Sequence, residues 1–411
     1  MGRALKFFAA FFFTAVIIFG SILFLNWQPF TVFFENRDAM VEGSEWVEET
    51  YSLQGLSRYI EQNPEHVSFV SKVMVPADST IRYGEDIRRP MGTTSNLFIL
   101  IAGAAGIENG DFNPDTRIQW SSISSHQLPD VNQSEHEQSF RAADRRGWIQ
   151  DGEITLDHAM KLLAEYNDLA LSDYLWWNIG PERWDALSQT LQLEQTDLPL
   201  PFSGLYMTLS PGLRQMEADE IYRIESEKET ADFRSLVIDF SERFLHEDDF
   251  RDSVRTYTRE KRLGNTFMEE RDGLGLFPKT TAREMTDILE QIASENLISP
   301  GVSNQVMEWL RWPMEQQSGI TRDFSDYGAI YDHRMGLLTG IDIGTSAYTG
   351  DTTVQAVFFD RIQIAFWFHM SSNHMHQDFQ QRMIFDPAMI IQMQQVADRA
   401  GNGSATVLSD E

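Results

Sequence analysis

Apolar residues recur along this chain with two alternating periods, and the switches between them mark the predicted elements. Residues 27–55 show neither period and are expected to be a linker into a first helix around Gly55–Asn63. Val67–Pro76 has the β-branched and aromatic content of a strand, Ala77-Asp78-Ser79 of a turn, and Thr80–Tyr83 of the returning strand. After Arg88-Arg89-Pro90 comes an apolar helix, Ser95–Ala105, closed by Gly106 and Gly110. Residues 121–152 mix Ser, Asp, Gln and His and read as loop. Leu156–Leu163 predicts a helix that breaks at Tyr166-Asn167-Asp168 and resumes through Leu175 to Ile179. In the charged segment 217–262, Phe233, Leu236, Val237, Phe240 and Phe244 keep helical spacing, which predicts an amphipathic helix with a solvated face.

Thr281-Ala282-Arg283-Glu284 is a capping box, followed by Met285, Ile288, Leu289 and Ile292 on one helical face. Ser299-Pro300 opens another helix that runs to Trp309-Leu310. Thr353–Phe359 and Ile362–Phe368 flank Asp360-Arg361 and predict two strands joined by a tight turn. A helix over Pro387–Arg399 closes the pattern, ahead of a flexible tail, 401–411. Strand pair, helical middle, strand run and terminal helix together predict an antiparallel sheet with an inserted helical subdomain.

One block has no period because it has no polar side. Phe7–Leu25 carries no charge. Its nineteen residues would rise about 28 Å as a helix, close to the apolar thickness of a bilayer. The expectation is a transmembrane anchor over residues 7–26, too long for an ordinary signal-peptide core and followed by no small-x-small cleavage site. Arg3 and Lys6 place the tail 1–6 in the cytoplasm, and the remainder in a periplasm or outside the cell.

Charge and composition narrow the partners. The chain has 62 acidic and 33 basic residues, a net −29, which argues against nucleic acid as a ligand. Its 411 residues contain no cysteine, so disulfides, thiolate catalysis and cysteine-bound zinc are excluded.

Four segments, in order, resemble the class A β-lactamase and DD-peptidase superfamily. Arg89-Pro90-Met91-Gly92-Thr93-Thr94-Ser95-Asn96 resembles the family's nucleophile segment, which leads into Ser-x-x-Lys. Tyr166-Asn167-Asp168 sits where relatives carry Ser-Asp-Asn. Thr280–Met285 with Leu297-Ile298-Ser299-Pro300 and Trp309-Leu310 resembles the late helical pair. Leu338-Thr339-Gly340 lies where relatives have Lys-Thr-Gly at the pocket edge. The resemblance covers Leu56–Ala400 and implies an α/β (α+β) fold over 56–400: an antiparallel sheet flanked by helices, with 217–262 as a charged helical insertion. It also implies a serine hydrolase ancestry.

The chemistry of that family needs a hydroxyl and a nearby base to take its proton. The corresponding pair here is Thr93 and Asn96, and an asparagine amide accepts no proton at physiological pH. Ser95 as an alternative nucleophile is followed three residues on by Phe98. Asp168 would put a carboxylate where relatives bind substrate amide, and Leu338 supplies no positive charge. The expectation is therefore little or no hydrolysis by the family mechanism, and a non-catalytic role in binding a peptidoglycan fragment or an envelope protein. The alternative is an active hydrolase with Thr93 or Ser95 activated by Tyr166 or by the insertion.

Other candidates carry less. Thr93 also reads as a helix N-cap. His369, His374, His376 and Asp378 match no zinc spacing and read as a polar surface loop, so no metal and no cofactor is expected. Trp176-Trp177 reads as core or groove lining, and Asp239 with Glu242 as a solvated helix face.

Overall fold

Five β-rich segments find each other across the chain in a computed structural model that describes residues 36–50, 53–75, 79–214, 230–261, 266–315 and 327–407. They are β1 (Val67–Val75), β2 (Thr80–Tyr83), β3 (Tyr327–Tyr331), β4 (Leu337–Thr345) and β5 (Thr352–Asp360). All pair antiparallel in the order β2-β1-β5-β4-β3, with Phe69 opposite Tyr83, Val70 opposite Ala356, and Ala356 opposite Ile341. The first and last thirds of the chain therefore meet in one sheet, with β2 and β3 as its two edges.

Side-chain alternation gives the sheet two apolar faces. Ile341, Ile343, Val354, Ala356 and Phe358 point into a core shared with the helices Asn96–Glu108, Ala282–Ala293 and Pro300–Glu315. Val67, Phe69, Leu338, Val357 and Phe359 point the other way, against Leu53–Gln62, Met375–Phe385 and Pro387–Val407. A third core, built around Leu205, Val237, Phe240, Phe244 and Val254, belongs to an all-helical region that includes Phe202–Leu209, Thr230–His246 and Asp248–Lys261. There the chain closes tightly: a Cβ on Gly204 would lie 2.0 Å from the Val237 carbonyl oxygen.

Two N-terminal signals read from sequence are found, Thr281 and Ser299. Thr281 Oγ1 accepts the Glu284 N–H at 3.1 Å, and Ser299 Oγ accepts the Val302 N–H at 3.0 Å. Glu284 does not complete the reciprocal half of the box. Its carboxylate takes the backbone N–H of Glu194 and Gln195 instead, tying a distant loop to this helix.

Three expectations are corrected. The linker does not extend to residue 55: a helix spans Ser44–Glu49, and Trp46 is buried edge-on against Tyr59. In the same segment Asn36 Oδ1 accepts the Phe267 N–H at 2.6 Å. A helix of six residues is too short to show a period. Residues 121–152 are not loop, because helices span Trp120–Ser124 and Gln133–Arg145. The second buries His136, Ser139, Ala142 and Ala143. That face has helical spacing but little hydrophobicity, so it is hidden from an apolar pattern. Finally, Ile362–Phe368 is not a strand. The hairpin before it is β4–β5, and Ile364–Ser372 is helical with Ile364, Phe366 and Met370 buried. A short run apolar on every side does not distinguish the two.

The expected anchor, Phe7–Leu25, lies outside the described residues, as do residues 217–229. Among the described residues, no helix is long and apolar enough to cross a membrane.

Gly204→Ala is expected to lower stability by about 3 kcal/mol, since a backbone carbonyl offers no room for an added methyl. Urea unfolding should show a lower midpoint with unchanged slope; an unchanged midpoint would contradict the close approach.

Candidate functional site

The segment resembling the nucleophile motif forms a 3₁₀ turn, Gly92–Ser95, at the start of the Asn96–Glu108 helix. Gly92 enters it with φ +54°, and a Cβ there would lie 1.6 Å from Asp332 Oδ2. Glycine is thus required twice, for the left-handed backbone and for the approach of the Asp332 carboxylate.

That carboxylate accepts the Thr93 N–H at 3.1 Å and the His333 N–H at 2.8 Å. The Thr93 hydroxyl donates to the Tyr331 carbonyl at 3.1 Å, and Asn167 Nδ2 donates to the same oxygen at 3.0 Å. Asn96 Nδ2 donates to Asn167 Oδ1 at 3.3 Å, and Ser172 Oγ donates to Asn96 Oδ1 at 2.8 Å. A continuous chain of bonds therefore runs Ser172–Asn96–Asn167–Tyr331–Thr93–Asp332. Ser95 Oγ turns back to the Gly92 carbonyl at 2.9 Å. Thr93 is 1% exposed, Ser95 4%, Asn96 0% and Asp332 2%, so the polar groups serve one another and not solvent.

Two features bear on proton transfer. Burial pushes the Asp332 carboxyl above its usual range, against the pull of Arg334 and of the N–H donors. Arg334 Nε lies 3.6 Å from Asp332 Oδ1, so the cation of this pocket is already neutralised. Among the described residues no lysine or histidine bonds either hydroxyl. Tyr166 also fails as a base: its phenol interacts with Glu165 and Arg146, and burial followed by the Glu165 charge raises its pKa.

The sequence-predicted residues divide. Thr93, Asn96 and Asn167 come together as described. Thr93 is not a helix N-cap, since it lies inside the 3₁₀ turn and its hydroxyl leaves the helix for Tyr331. Asp168 faces away from the Thr93 turn: Oδ1 caps the Leu169–Ile179 helix by accepting the Ala170 and Leu171 N–H groups, and Oδ2 meets His136 Nδ1 at 2.8 Å. The Leu338-Thr339-Gly340 placement is corrected. These residues lie on β4, one strand in from the edge, with Leu338 in the opposite core. Thr339 Oγ1 bonds the Met91 carbonyl, and Gly340 leaves room for Gln380 and the Tyr331 ring. The strand beside Thr93 is β3, and Tyr331, Asp332 and Arg334 are the residues sequence reasoning missed. No motif marks them; their signal is that Asp and Arg directly follow an apolar edge strand.

The histidine stretch is likewise not a surface loop. His369 lies in the last turn of one helix, the exposed His374 precedes the next, Met375–Phe385, and His376 lies in that helix, 0% exposed, its ring 4.4 Å from that of His333. Asp378 makes an exposed pair with Arg382. Among the described residues no cluster of ligating side chains is arranged to hold a metal. Trp176 is core, stacked on Trp184, and Trp177 is half-buried with Nε1 on Ser241. Asp239 and Glu242 are exposed.

A five-stranded antiparallel sheet between helical layers, with a short 3₁₀ turn and helix start packed at its edge strand, is the architecture of serine β-lactamase-like proteins. Residues 53–374 match the beta-lactamase enzyme family, and the chain belongs to that family. It is also similar to solved structures. A beta-lactamase from Sphaerobacter thermophilus shares 11% identity over 81% of this chain and 96% of its own, with a TM-score of 0.48. A beta-lactamase from Chitinophaga pinensis shares 10% over 78% and 99%, with a TM-score of 0.43. A class A representative from Bacteroides cellulosilyticus shares 11% over 83% and 96%, at 0.42. No curated protein matches the sequence.

Burial pushes His126 and His333 down to about 4, and His376 well below its ordinary value. Each binds a proton more readily unfolded than folded, so the stability they carry is complete above about pH 6.5 and is lost as pH falls toward 4. Denaturation between pH 7 and 5 should lose up to about 1.4 kcal/mol per pH unit for each such group. His376→Phe should flatten that slope; a slope unchanged by the substitution would contradict the burial of a neutral imidazole.

Proposed function

We propose that the protein is a membrane-anchored, envelope-facing member of the beta-lactamase enzyme family that is silent in acyl transfer at its family site. In this reading it binds a cell-wall fragment or an envelope protein through its surface. The observation that carries the reading is the commitment of the Thr93 hydroxyl to the Tyr331 carbonyl, in a turn 1% exposed, with its own N–H held by Asp332. Acyl transfer needs a hydroxyl whose proton faces a base, and N–H groups open to the developing oxyanion. At Thr93 the hydroxyl donates to the Tyr331 carbonyl, with the Asp332 carboxyl also beside it, and the N–H faces that same carboxylate. The anchor rests on the uncharged Phe7–Leu25 stretch and the preceding Arg3 and Lys6. A filled family site leaves the outer surfaces for binding, the charged Thr230–His246 and Asp248–Lys261 helices among them.

A second reading, hydrolysis from Thr93, is favoured by one observation: the Asp332 carboxyl also faces the Thr93 hydroxyl. Incubating the full chain with a fluorescent penicillin and a chromogenic cephalosporin separates the two. We expect no covalent label and no turnover above buffer. Label that disappears in Thr93→Ala would establish the second reading and overturn the first.

A further inference from the structure

Away from Thr93, three side chains from three helices meet in a different arrangement. Ser124 is the last residue of the Trp120–Ser124 helix, His136 lies in the Gln133–Arg145 helix, and Asp168 caps the Leu169–Ile179 helix. Ser124 Oγ is 2.9 Å from His136 Nε2, and His136 Nδ1 is 2.8 Å from Asp168 Oδ2. We propose that Ser124, His136 and Asp168 form an acyl-transfer site that hydrolyses small carboxylic esters.

The order of the contacts sets the direction of the proton. An ionised carboxylate only accepts, so Nδ1 carries the imidazole hydrogen and Nε2 presents its lone pair to Ser124. In the tautomer this site would use, with Nδ1–H on Asp168, the serine hydroxyl is the donor and His136 Nε2 the acceptor. The rest of the arrangement holds this state. Asp168 is 0% exposed, and its second oxygen accepts the Ala170 and Leu171 N–H groups at 3.0 and 3.2 Å, which fixes the plane of the carboxyl group. Trp120 stacks on the His136 ring with centroids 5.5 Å apart and planes 22° apart. Ser124 is half-buried, whereas Thr93 is 1% exposed.

Two neighbouring features suit an ester. Asn132, at the N-cap of the Gln133–Arg145 helix, makes no side-chain cap bond; its Oδ1 accepts the Leu169 N–H instead. The Asn132 side chain therefore does not cap the first-turn N–H groups of that helix. Phe140, 38% exposed, packs on Trp120 at 5.3 Å and offers an apolar shelf for the acyl group.

In the reaction, Ser124 Oγ bonds to the ester carbonyl carbon as its proton passes to His136 Nε2. The tetrahedral oxyanion collapses, the C–O bond to the alcohol breaks, and the departing oxygen takes that proton. Water repeats the sequence on the acyl-serine, releasing the carboxylic acid and restoring the hydroxyl.

The full chain, treated with a fluorophosphonate probe, should carry one adduct, mapped to Ser124 by peptide mass spectrometry. It should also hydrolyse p-nitrophenyl acetate. Ser124→Ala, at a half-exposed position, should keep its melting temperature, lose the adduct and lose hydrolysis by about a hundredfold or more. Thr93→Ala should leave both intact, which separates this site from the family site. Absence of an adduct on Ser124 in the unsubstituted protein, or an adduct and hydrolysis that persist in Ser124→Ala, would overturn the proposal.

Discussion

One backbone carbonyl, that of Tyr331, joins the edge of the sheet to the helical layer. It receives the Thr93 hydroxyl and the Asn167 amide together, using both of its lone-pair directions. Through Asn167 it reaches Asn96 and Ser172, and through Thr93 it reaches Asp332. Each such bond contributes about 1 kcal/mol net, whereas a buried polar group left without a partner costs about 1–3 kcal/mol. The network is therefore held less by its attractions than by the cost of opening any member.

This constraint is what supports the proposal that a fold associated with hydrolysis is silent here at its usual place. Fold alone does not imply activity, which depends on the particular side chains at a site. Here the side chains corresponding to a nucleophile and its neighbours behave as core. The cation near them, Arg334, is matched by Asp332, and the glycine that would free a backbone N–H brings a carboxylate onto it. The break between the two helices at Asn167-Asp168 separates two environments. Asn167, in a left-handed conformation with φ 49°, faces Thr93, and Asp168, the next residue, faces His136.

Much of the fold was legible because periodicity and end signals are local. The β1–β2 pair, the helix from Asn96, the Thr281 and Ser299 caps and the Phe233–Phe244 helical face all follow from residue spacing. The helix over Gln133–Arg145 was not legible, because its buried face is made of His136, Ser139 and two alanines. Ile364–Ser372 was misread because its apolar residues satisfy both periods over so short a span. At the site, Thr93, Asn96 and Asn167 were found because they lie in motifs. Tyr331 and Asp332 were not, because their importance comes from strand order: β3 is an edge, a fact set by pairing between segments far apart in sequence. The same holds for His136, whose partners lie 12 and 32 residues away.

The central claim, that the Thr93 turn is sealed and internally bonded, can be tested without any ligand. Native-state hydrogen exchange at the Thr93 amide reports whether Asp332 and the surrounding core hold it shut. The account predicts protection comparable to that of amides in the middle of β4 and β5, lost only with global unfolding. Exchange at the rate of an exposed loop would mean an open cleft and would contradict it.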